Sequence, residues 1–176
     1  PIDPIREEMV MSINNYIGPR PNVLDLENKE TLKYIKVDTP ILDEENANKI
    51  LGLEKNNNSF LSSKVIDITY DANSIDLESF LETVCLKSEE SIIQGYNVII
   101  LSDKLINEKN VPISSLLATS KVHQHLINRG LRTSCGLVIE TGEAREIHHF
   151  CCLAGYGADA IYPWLALDVV GGLLEN

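Results

Sequence analysis

The stretch Asn97-Val98-Ile99-Ile100-Leu101 decides the fold of this chain. Its run of apolar side chains leaves no polar face, which predicts a strand buried on both faces, as in a parallel sheet covered by helices. Apolar runs of similar character occur at residues 65–70 and 135–140, and a shorter one occurs at 158–161. We therefore expect these strands to lie in one sheet.

Segments with helical periodicity separate and follow these strands. Helices are predicted at residues 75–94, 113–128 and 143–153, and Pro163 is expected to open a last one. Strands that alternate with helices form parallel sheets with right-handed crossovers. The predicted fold class is α/β, with a mostly parallel sheet built from about four βα units. Because a closed barrel needs eight such units and typically about 250 residues, we expect an open sheet or an incomplete TIM-barrel-like arrangement.

A further helix is predicted at residues 1–20. Asp3 is a suitable N-cap, and Pro4 suits the first helical position. Ile13 and Ile17 continue an apolar stripe at helical spacing. The Gly-Pro pair that follows Ile17 predicts the end of this helix.

The remainder of the N-terminal part is less regular. A short helix is predicted at residues 43–51, and the polar run at 55–59 is predicted to be an exposed loop. We interpret the chain as a single domain. In this interpretation residues 1–62 form an N-terminal helix and irregular segment, and residues 63–176 form the βα repeats.

The composition limits the functions that the chain can have. Its 176 residues suffice for one domain with a core, and its formal net charge is −11. Such an acidic chain repels phosphate backbones and anionic lipids, so neither nucleic acid nor a membrane is an expected partner. The chain starts with Pro1 instead of Met, which suggests a piece of a longer polypeptide.

Cysteines and histidines are the usual candidates for redox and metal sites. The cysteines form no C-x-x-C pair, and we expect reduced, buried thiols; they are Cys85, Cys135, Cys151 and Cys152. The histidines form two local pairs whose members diverge on a helix; they are His123, His125, His148 and His149. A metal would need one histidine from each pair and a further ligand, so no metal site is predicted.

The densest cluster of reactive side chains runs from Glu140 to His149, where a predicted strand ends and a helix begins. Ligand sites of α/β proteins lie at such places. One interpretation makes Glu140 or Glu143 an acid or base and Arg145 an anion clamp. In the alternative, Glu143 and Glu146 stabilise the helix N-terminus while Arg145 pairs with a neighbouring carboxylate. The chain contains no P-loop, nucleophile elbow or H-E-x-x-H motif.

Blocks at both ends of the chain resemble a known family. The N-terminal blocks are PIDPIREEMVMS at residues 1–12 and GPRPN at 18–22. The C-terminal blocks are GLRT at 130–133, VIETGEAREIHHFCCLAGY at 138–156, GADA at 157–160 and PWLA at 163–166, preceded by LLA at 116–118 and the pair Val122-His123. In this order they resemble the central domain of glutamate synthase large chains, over essentially the whole chain.

The resemblance implies a role inside a larger enzyme. Glutamate synthase uses the amide nitrogen of glutamine to convert 2-oxoglutarate reductively into glutamate. An N-terminal glutaminase domain releases ammonia, and a C-terminal domain carries FMN and an iron–sulfur cluster. The central domain lies between them, binds no cofactor and helps to form the ammonia tunnel. Electrons come from ferredoxin or an NADPH-oxidising subunit, in the cytoplasm or in an organelle such as a plastid.

Functional residues of such a connecting domain are contacts, and the chain alone is expected to catalyse nothing. Two interdomain or tunnel surfaces are predicted: Asp3, Arg6 and Glu7 on the first, and Glu143, Arg145, His148 and His149 on the second. Two alternatives remain. One is a free-standing α/β enzyme that acts on a small acid through the 140–149 region. The other is an anion-binding module at the strand ends.

Overall fold

The computed structural model describes residues 12–20, 34–53 and 60–174. Its elements follow one another in the order β1 (Asn15–Ile17), β2 (Ile35–Val37), α1 (Glu44–Leu51), β3 (Ser63–Asp67), β4 (Thr69–Asp71), α2 (Leu77–Ile93), β5 (Val98–Ser102), β6 (Asn110–Pro112), α3 (Ser115–Asn128), a 3₁₀ turn (Arg132–Ser134), β7 (Gly136–Glu140), α4 (Ile147–Gly155), β8 (Ala160–Tyr162) and α5 (Trp164–Leu174).

The central element is a parallel four-stranded sheet in the order β3-β5-β7-β8. The spatial order repeats the chain order, as it does when consecutive βα units are laid side by side. A parallel bridge between Ile41 and Ile161 extends the sheet beyond β8. The predicted fold class, an α/β chain with a mostly parallel sheet of about four βα units, is confirmed.

Two apolar clusters cover the two faces of the sheet. On β5, Ile99 and Leu101 belong to the cluster formed with α2, α3 and α4, whereas Val98 and Ile100 belong to the other cluster. The second cluster is completed by N-terminal residues, which are Ile17, Leu42, Ala47 and Ile50. In a closed barrel this second face would point to the interior. Here the N-terminal part of the chain covers it, which explains why every residue of β5 is buried.

The helix predicted at residues 1–20 is wrong at its C-terminal end, and residues 1–11 lie outside the described part. Asn15–Ile17 is a strand that pairs antiparallel with β2. Asn15 donates from its side chain to the Asp159 carbonyl at 2.5 Å, and the Arg20 backbone N–H donates to Thr133 at 2.7 Å. These long-range contacts override the local helical pattern. The loop predicted at 55–59 also lies outside the described residues.

The strand predicted at residues 65–70 is divided between two sheets. Ser63–Asp67 lies in the parallel sheet, whereas Thr69–Asp71 pairs antiparallel with β6. Asp67 Oδ1 accepts from both the backbone N–H and the hydroxyl of Thr69, at 2.8 Å each. This local side-chain bond competes with the strand ladder and marks the change of direction.

The helix predicted at residues 143–153 starts later, at Ile147. Contacts that hold residues 141–146 in a non-helical loop, described below, explain the difference. The short helix predicted at 43–51 is confirmed, and Asp43 caps it by accepting from the Asn46 backbone N–H at 2.8 Å. The other predicted strands and helices are confirmed at closely similar bounds.

Candidate functional site

Polar side chains gather where the parallel strands end. The carboxyl ends of β5, β7 and β8 meet at one edge of the sheet, which we call the carboxyl edge. Glu140, at the end of β7, is 4 % exposed. It accepts from the Ser102 hydroxyl at 2.5 Å and lies 3.6 Å from Lys104 Nζ. Lys104 also lies over the Tyr162 ring, 5.7 Å from its centroid. The Glu140 carboxylate is therefore engaged on both oxygens.

Asp103 is the second buried carboxylate of this edge. It accepts from the Thr141 hydroxyl at 2.7 Å and from the Gly142 backbone N–H at 2.9 Å. It also accepts from the Trp164 indole N–H at 2.7 Å. One side chain thus ties the loop after β7 to the start of α5. No local pattern in the sequence pointed to Asp103, since its partners lie far away along the chain.

Glu143 caps a helix other than its own. Its Oε2 accepts from the backbone N–H and from the hydroxyl of Ser115, at 2.7 Å each. Ser115 is the first residue of α3, whose N-cap Ser114 makes no capping bond of its own. A carboxylate at a helix N-terminus is stabilised by the free N–H groups and the helix dipole. The interpretation that Glu143 stabilises the helix that follows it is wrong, because that helix begins only at Ile147.

An open cleft of about 350 Å³ lies between the start of α3 and helix α4. Its lining consists of Ser114, Ser115, Leu116, Glu143, Ala144, His148, His149, Cys152 and Leu153. Three of the four predicted contact residues of the second surface, Glu143, His148 and His149, therefore line one cleft.

Arg145 lies on the loop that borders this cleft and is exposed. Its backbone N–H faces His149 Nδ1 at 3.4 Å. No ion pair of the Arg145 side chain occurs within the described residues, so the predicted pairing with a neighbouring carboxylate is not found there.

The sulfur and imidazole groups of the cleft lie on α4. Cys152 Sγ is 3.5 Å from His148 Nε2, as expected for side chains one turn apart. Within residues 12–20, 34–53 and 60–174, no three His, Cys, Asp or Glu side chains converge on a metal position. The expectation of buried thiols is correct for Cys85 and Cys135. It is wrong for Cys151, which is exposed, and Cys152 is only partly buried.

Among the described residues, the cysteines do not suit an iron–sulfur cluster, and the carboxyl edge does not suit a flavin phosphate. An iron–sulfur cluster needs thiolates that converge, and two of the cysteines are buried apart from the pair on α4. A helix N-terminus is a common binding place for a flavin phosphate, and Glu143 already occupies that of α3. The buried carboxylates of Asp103 and Glu140 lie at the same edge and would repel an anion.

A second polar network, which the sequence patterns did not reveal, lies at the opposite edge of the sheet. Asp159 is 4 % exposed and accepts from Arg20 at 2.8 Å, from Arg132 at 3.0 Å and from the Leu137 backbone N–H at 2.8 Å. Arg132 also donates from Nε to His123 Nδ1 at 2.9 Å. This network connects the N-terminal segment, the 3₁₀ turn and the approach to β8.

Arg132 fixes the protonation state of His123. Burial and the neighbouring Arg132 guanidinium lower the pKa of His123 below its ordinary value. Because Nδ1 accepts a bond from Arg132, the imidazole is neutral with its proton on Nε2. His123 is therefore a hydrogen-bond acceptor for Arg132 in this network.

His125 belongs to a third group on the outer side of α3. Glu89 accepts from His125 Nε2 at 2.7 Å and from Arg129 Nε at 2.8 Å. Both partners, Arg129 foremost, lower the pKa of the Glu89 carboxyl. The group joins α2 to α3 and lies away from the carboxyl edge. Asp3, Arg6 and Glu7, the first predicted surface, lie outside the described residues.

No helix among the described residues has the length and apolar character that crossing a membrane requires.

Comparison with known proteins identifies one family. The family model for the glutamate synthase central domain matches residues 1–176. The NADPH glutamate synthase large chain of Bacillus subtilis is 43 % identical over 166 residues, which are 94 % of this chain and 10 % of that protein. The NADH glutamate synthase of Schizosaccharomyces pombe is 38 % identical over 180 residues, which are 100 % of this chain and 8 % of that protein. The ferredoxin-dependent enzyme of Pyropia yezoensis is 37 % identical over 172 residues, which are 95 % of this chain and 11 % of that protein.

Proposed function

Because the chain belongs to the family of glutamate synthase central domains, we propose that it is the connecting domain of such an enzyme. The observation that carries the proposal is the family match over the whole chain, together with relatives of which the chain spans only about a tenth. In this proposal the whole polypeptide moves the amide nitrogen of glutamine to 2-oxoglutarate and reduces the product, so that each turnover yields two molecules of glutamate. The chain described here contributes no reacting group.

The proposed partners are the other domains of the same polypeptide. A glutaminase domain on one side would release ammonia, and a synthase domain on the other would hold FMN and an iron–sulfur cluster. The names of the relatives include NADH, NADPH and ferredoxin as reductants, and we propose a reductant of this class. The parallel sheet has a packed apolar cluster on each face, which makes it rigid. Such a rigid sheet can form one side of an ammonia passage.

The second predicted surface is the proposed contact with a neighbouring domain. Arg145 and His148 are exposed at the carboxyl edge, and His148 and His149 line the open cleft. Glu143 fixes the position of this loop through Ser115. We also propose that residues 1–176 form a single domain, since N-terminal residues such as Ile17 and Ile50 complete the apolar cluster on one face of the sheet.

Reversing the charge of Arg145 tests the proposal in the full-length enzyme. Because Arg145 is exposed and its side chain makes no ion pair among the described residues, Arg145→Glu should not disturb the fold. It should weaken the contact and let ammonia escape to solvent. The measurement compares glutamine consumed, 2-oxoglutarate consumed and free ammonia. We expect a several-fold rise in free ammonia per glutamine hydrolysed.

Lys87→Glu is the matched control, because it makes the same charge change at an exposed position on α2, away from the carboxyl edge. It should leave glutamine and 2-oxoglutarate consumption equal. Stoichiometric consumption in Arg145→Glu would show that Arg145 is not a contact of the passage. A full-length protein that forms no glutamate from glutamine and 2-oxoglutarate would refute the proposed function itself.

A further inference from the structure

The last helix of the described chain exposes apolar side chains that the domain does not cover. Leu165 is 43 % exposed, Val169 57 %, Val170 56 % and Leu173 72 %. The only charged side chain on this helix, α5, belongs to Asp168. Soluble proteins rarely leave so concentrated an apolar surface without a partner.

Four of the five exposed apolar side chains of α5 form one stripe, and the fifth, Leu167, is 37 % exposed and lies about 60° beyond Val170. At 100° per residue, Leu165, Val169 and Leu173 lie within about 80° of arc, and Val170 widens the stripe to about 140°. By the same count Asp168 lies about 60° from Leu165, just outside that edge of the stripe. This is the pattern of a helix that buries one face against another apolar surface.

Two glycines of α5 give a second, independent indication. Gly171 and Gly172 lie inside the helix, where each glycine costs about 1 kcal/mol relative to alanine. A Cβ added at either position would meet no atom within 4 Å among the described residues. The packing of this domain therefore gives no reason for glycine there. Close approach of another backbone would supply one.

The base of α5 is fixed, so the stripe has a defined position. Trp164 donates its indole N–H to Asp103 at 2.7 Å. The Leu165 side chain lies 3.4 Å from where a Cβ of Gly142 would be. From Asp168 to Leu173 every side chain is exposed. Helix α5 thus extends from the carboxyl edge, anchored by its first turn.

We propose that the stripe formed by Leu165, Val169, Val170 and Leu173 is covered by an apolar face of another domain of the same polypeptide. This inference rests on the proposed function, since relatives are about ten times longer than the chain. Charge favours this occupant over a second copy, because each copy carries a net charge of −11 and two copies repel each other. The domain that covers the stripe should present an apolar surface, and its backbone should approach Gly171 and Gly172 closely.

Hydrogen exchange of the full-length protein tests the proposal. A helix as short as α5 is marginal in water without tertiary contacts, so its second half would exchange within about tenfold of the rate of an unfolded chain if it were uncovered. If another domain covers it, the amides of residues 168–174 should exchange more than about 100-fold slower than the unfolded rate. Val169→Glu combined with Leu173→Glu should abolish this protection. Exchange in α2 should stay unchanged.

Ile93→Glu is the matched control, because Ile93 is 70 % exposed at the end of α2 and lies outside the stripe. It should leave the exchange of α5 as in wild type. Fast exchange of the α5 amides in the wild-type protein overturns the proposal. Protection that disappears on dilution also overturns it, because it would identify a second copy of the protein as the occupant. The proposed function is measured separately by the glutamine and 2-oxoglutarate stoichiometry, so unprotected α5 in an enzyme that forms glutamate refutes only the docking.

Discussion

Replacing Gly157 with alanine should strongly destabilise the chain. Gly157 links α4 to β8 and has a φ of +114°, a region that side-chain-bearing residues rarely adopt. A Cβ at this position would lie 2.5 Å from His123 Cγ and 2.8 Å from Cε1, and closer still to Nδ1. The imidazole would have to move, and its bond from Arg132 would be lost.

The magnitude follows from two contributions. A residue held in a sparsely populated backbone region costs about 1–3 kcal/mol. Inserting a methyl group into a packed site costs about 1–3 kcal/mol more. We therefore expect Gly157→Ala to lower the free energy of unfolding by about 2–6 kcal/mol. Urea unfolding followed by circular dichroism measures this change, provided that the slope of the transition is unchanged.

Gly155→Ala is the matched control. Gly155 is the last residue of α4, has no positive φ and has no atom within 4 Å of an added Cβ among the described residues. Both substitutions reduce the entropy of the unfolded chain equally, so this effect cancels in the comparison. If both variants unfold at the same urea concentration, the reasoning from the backbone angle and the imidazole contact is wrong. A cycle with His123→Ala separates the steric part from the backbone part.

Two further predictions concern titration. Burial raises the pKa of the Cys135 thiol to about 11, whereas Cys151 is exposed. Iodoacetamide at pH 8 should therefore modify Cys151 at least about 100-fold faster than Cys135 in the folded chain, as measured by peptide mass spectrometry. Equal rates for the two cysteines would contradict the described burial of Cys135. Arg129 and His125 hold the pKa of the Glu89 carboxyl below its unfolded value of about 4.3. The stability that the ionised Glu89 provides is therefore complete above the unfolded pKa. It is lost as the pH falls through the lowered pKa of the folded chain. Glu89→Gln should thus unfold at lower urea than wild type at pH 6, and the difference between them should disappear as the pH falls below the lowered pKa. A gap that does not change with pH would exclude this ionisation as the cause.

Much of the fold followed from local patterns in the sequence. The apolar runs around Val98 and Val138 have no polar face, so only a sheet covered on both sides could bury them. Gly95 and Gly130, which follow the ends of α2 and α3, take positive φ, as glycines at helix C-termini commonly do. These features depend on neighbouring residues alone, which explains why the sequence was sufficient to predict them.

Local patterns failed where long-range bonds compete with them. The segment around Asn15 has helical spacing but forms a strand, since Asp159 and β2 bind it. The loop around Glu143 has helix-forming residues but is not helical, since Ser115 and Asp103 bind its polar groups. Hydrogen bonds to distant partners outweigh propensities of a few tenths of a kcal/mol per residue.

By itself the sequence determined the family, the α/β class and the strands of the parallel sheet, because blocks of matching residues and continuous apolar runs are properties of the chain in one dimension. Only the tertiary structure decided that Glu143, His148 and His149 share a cleft, that Asp159 joins Arg20 to Arg132, and that α5 carries an uncovered stripe. The physical reason is that which partner satisfies a charge, and which apolar face remains open, depends on residues that folding brings together from distant parts of the chain.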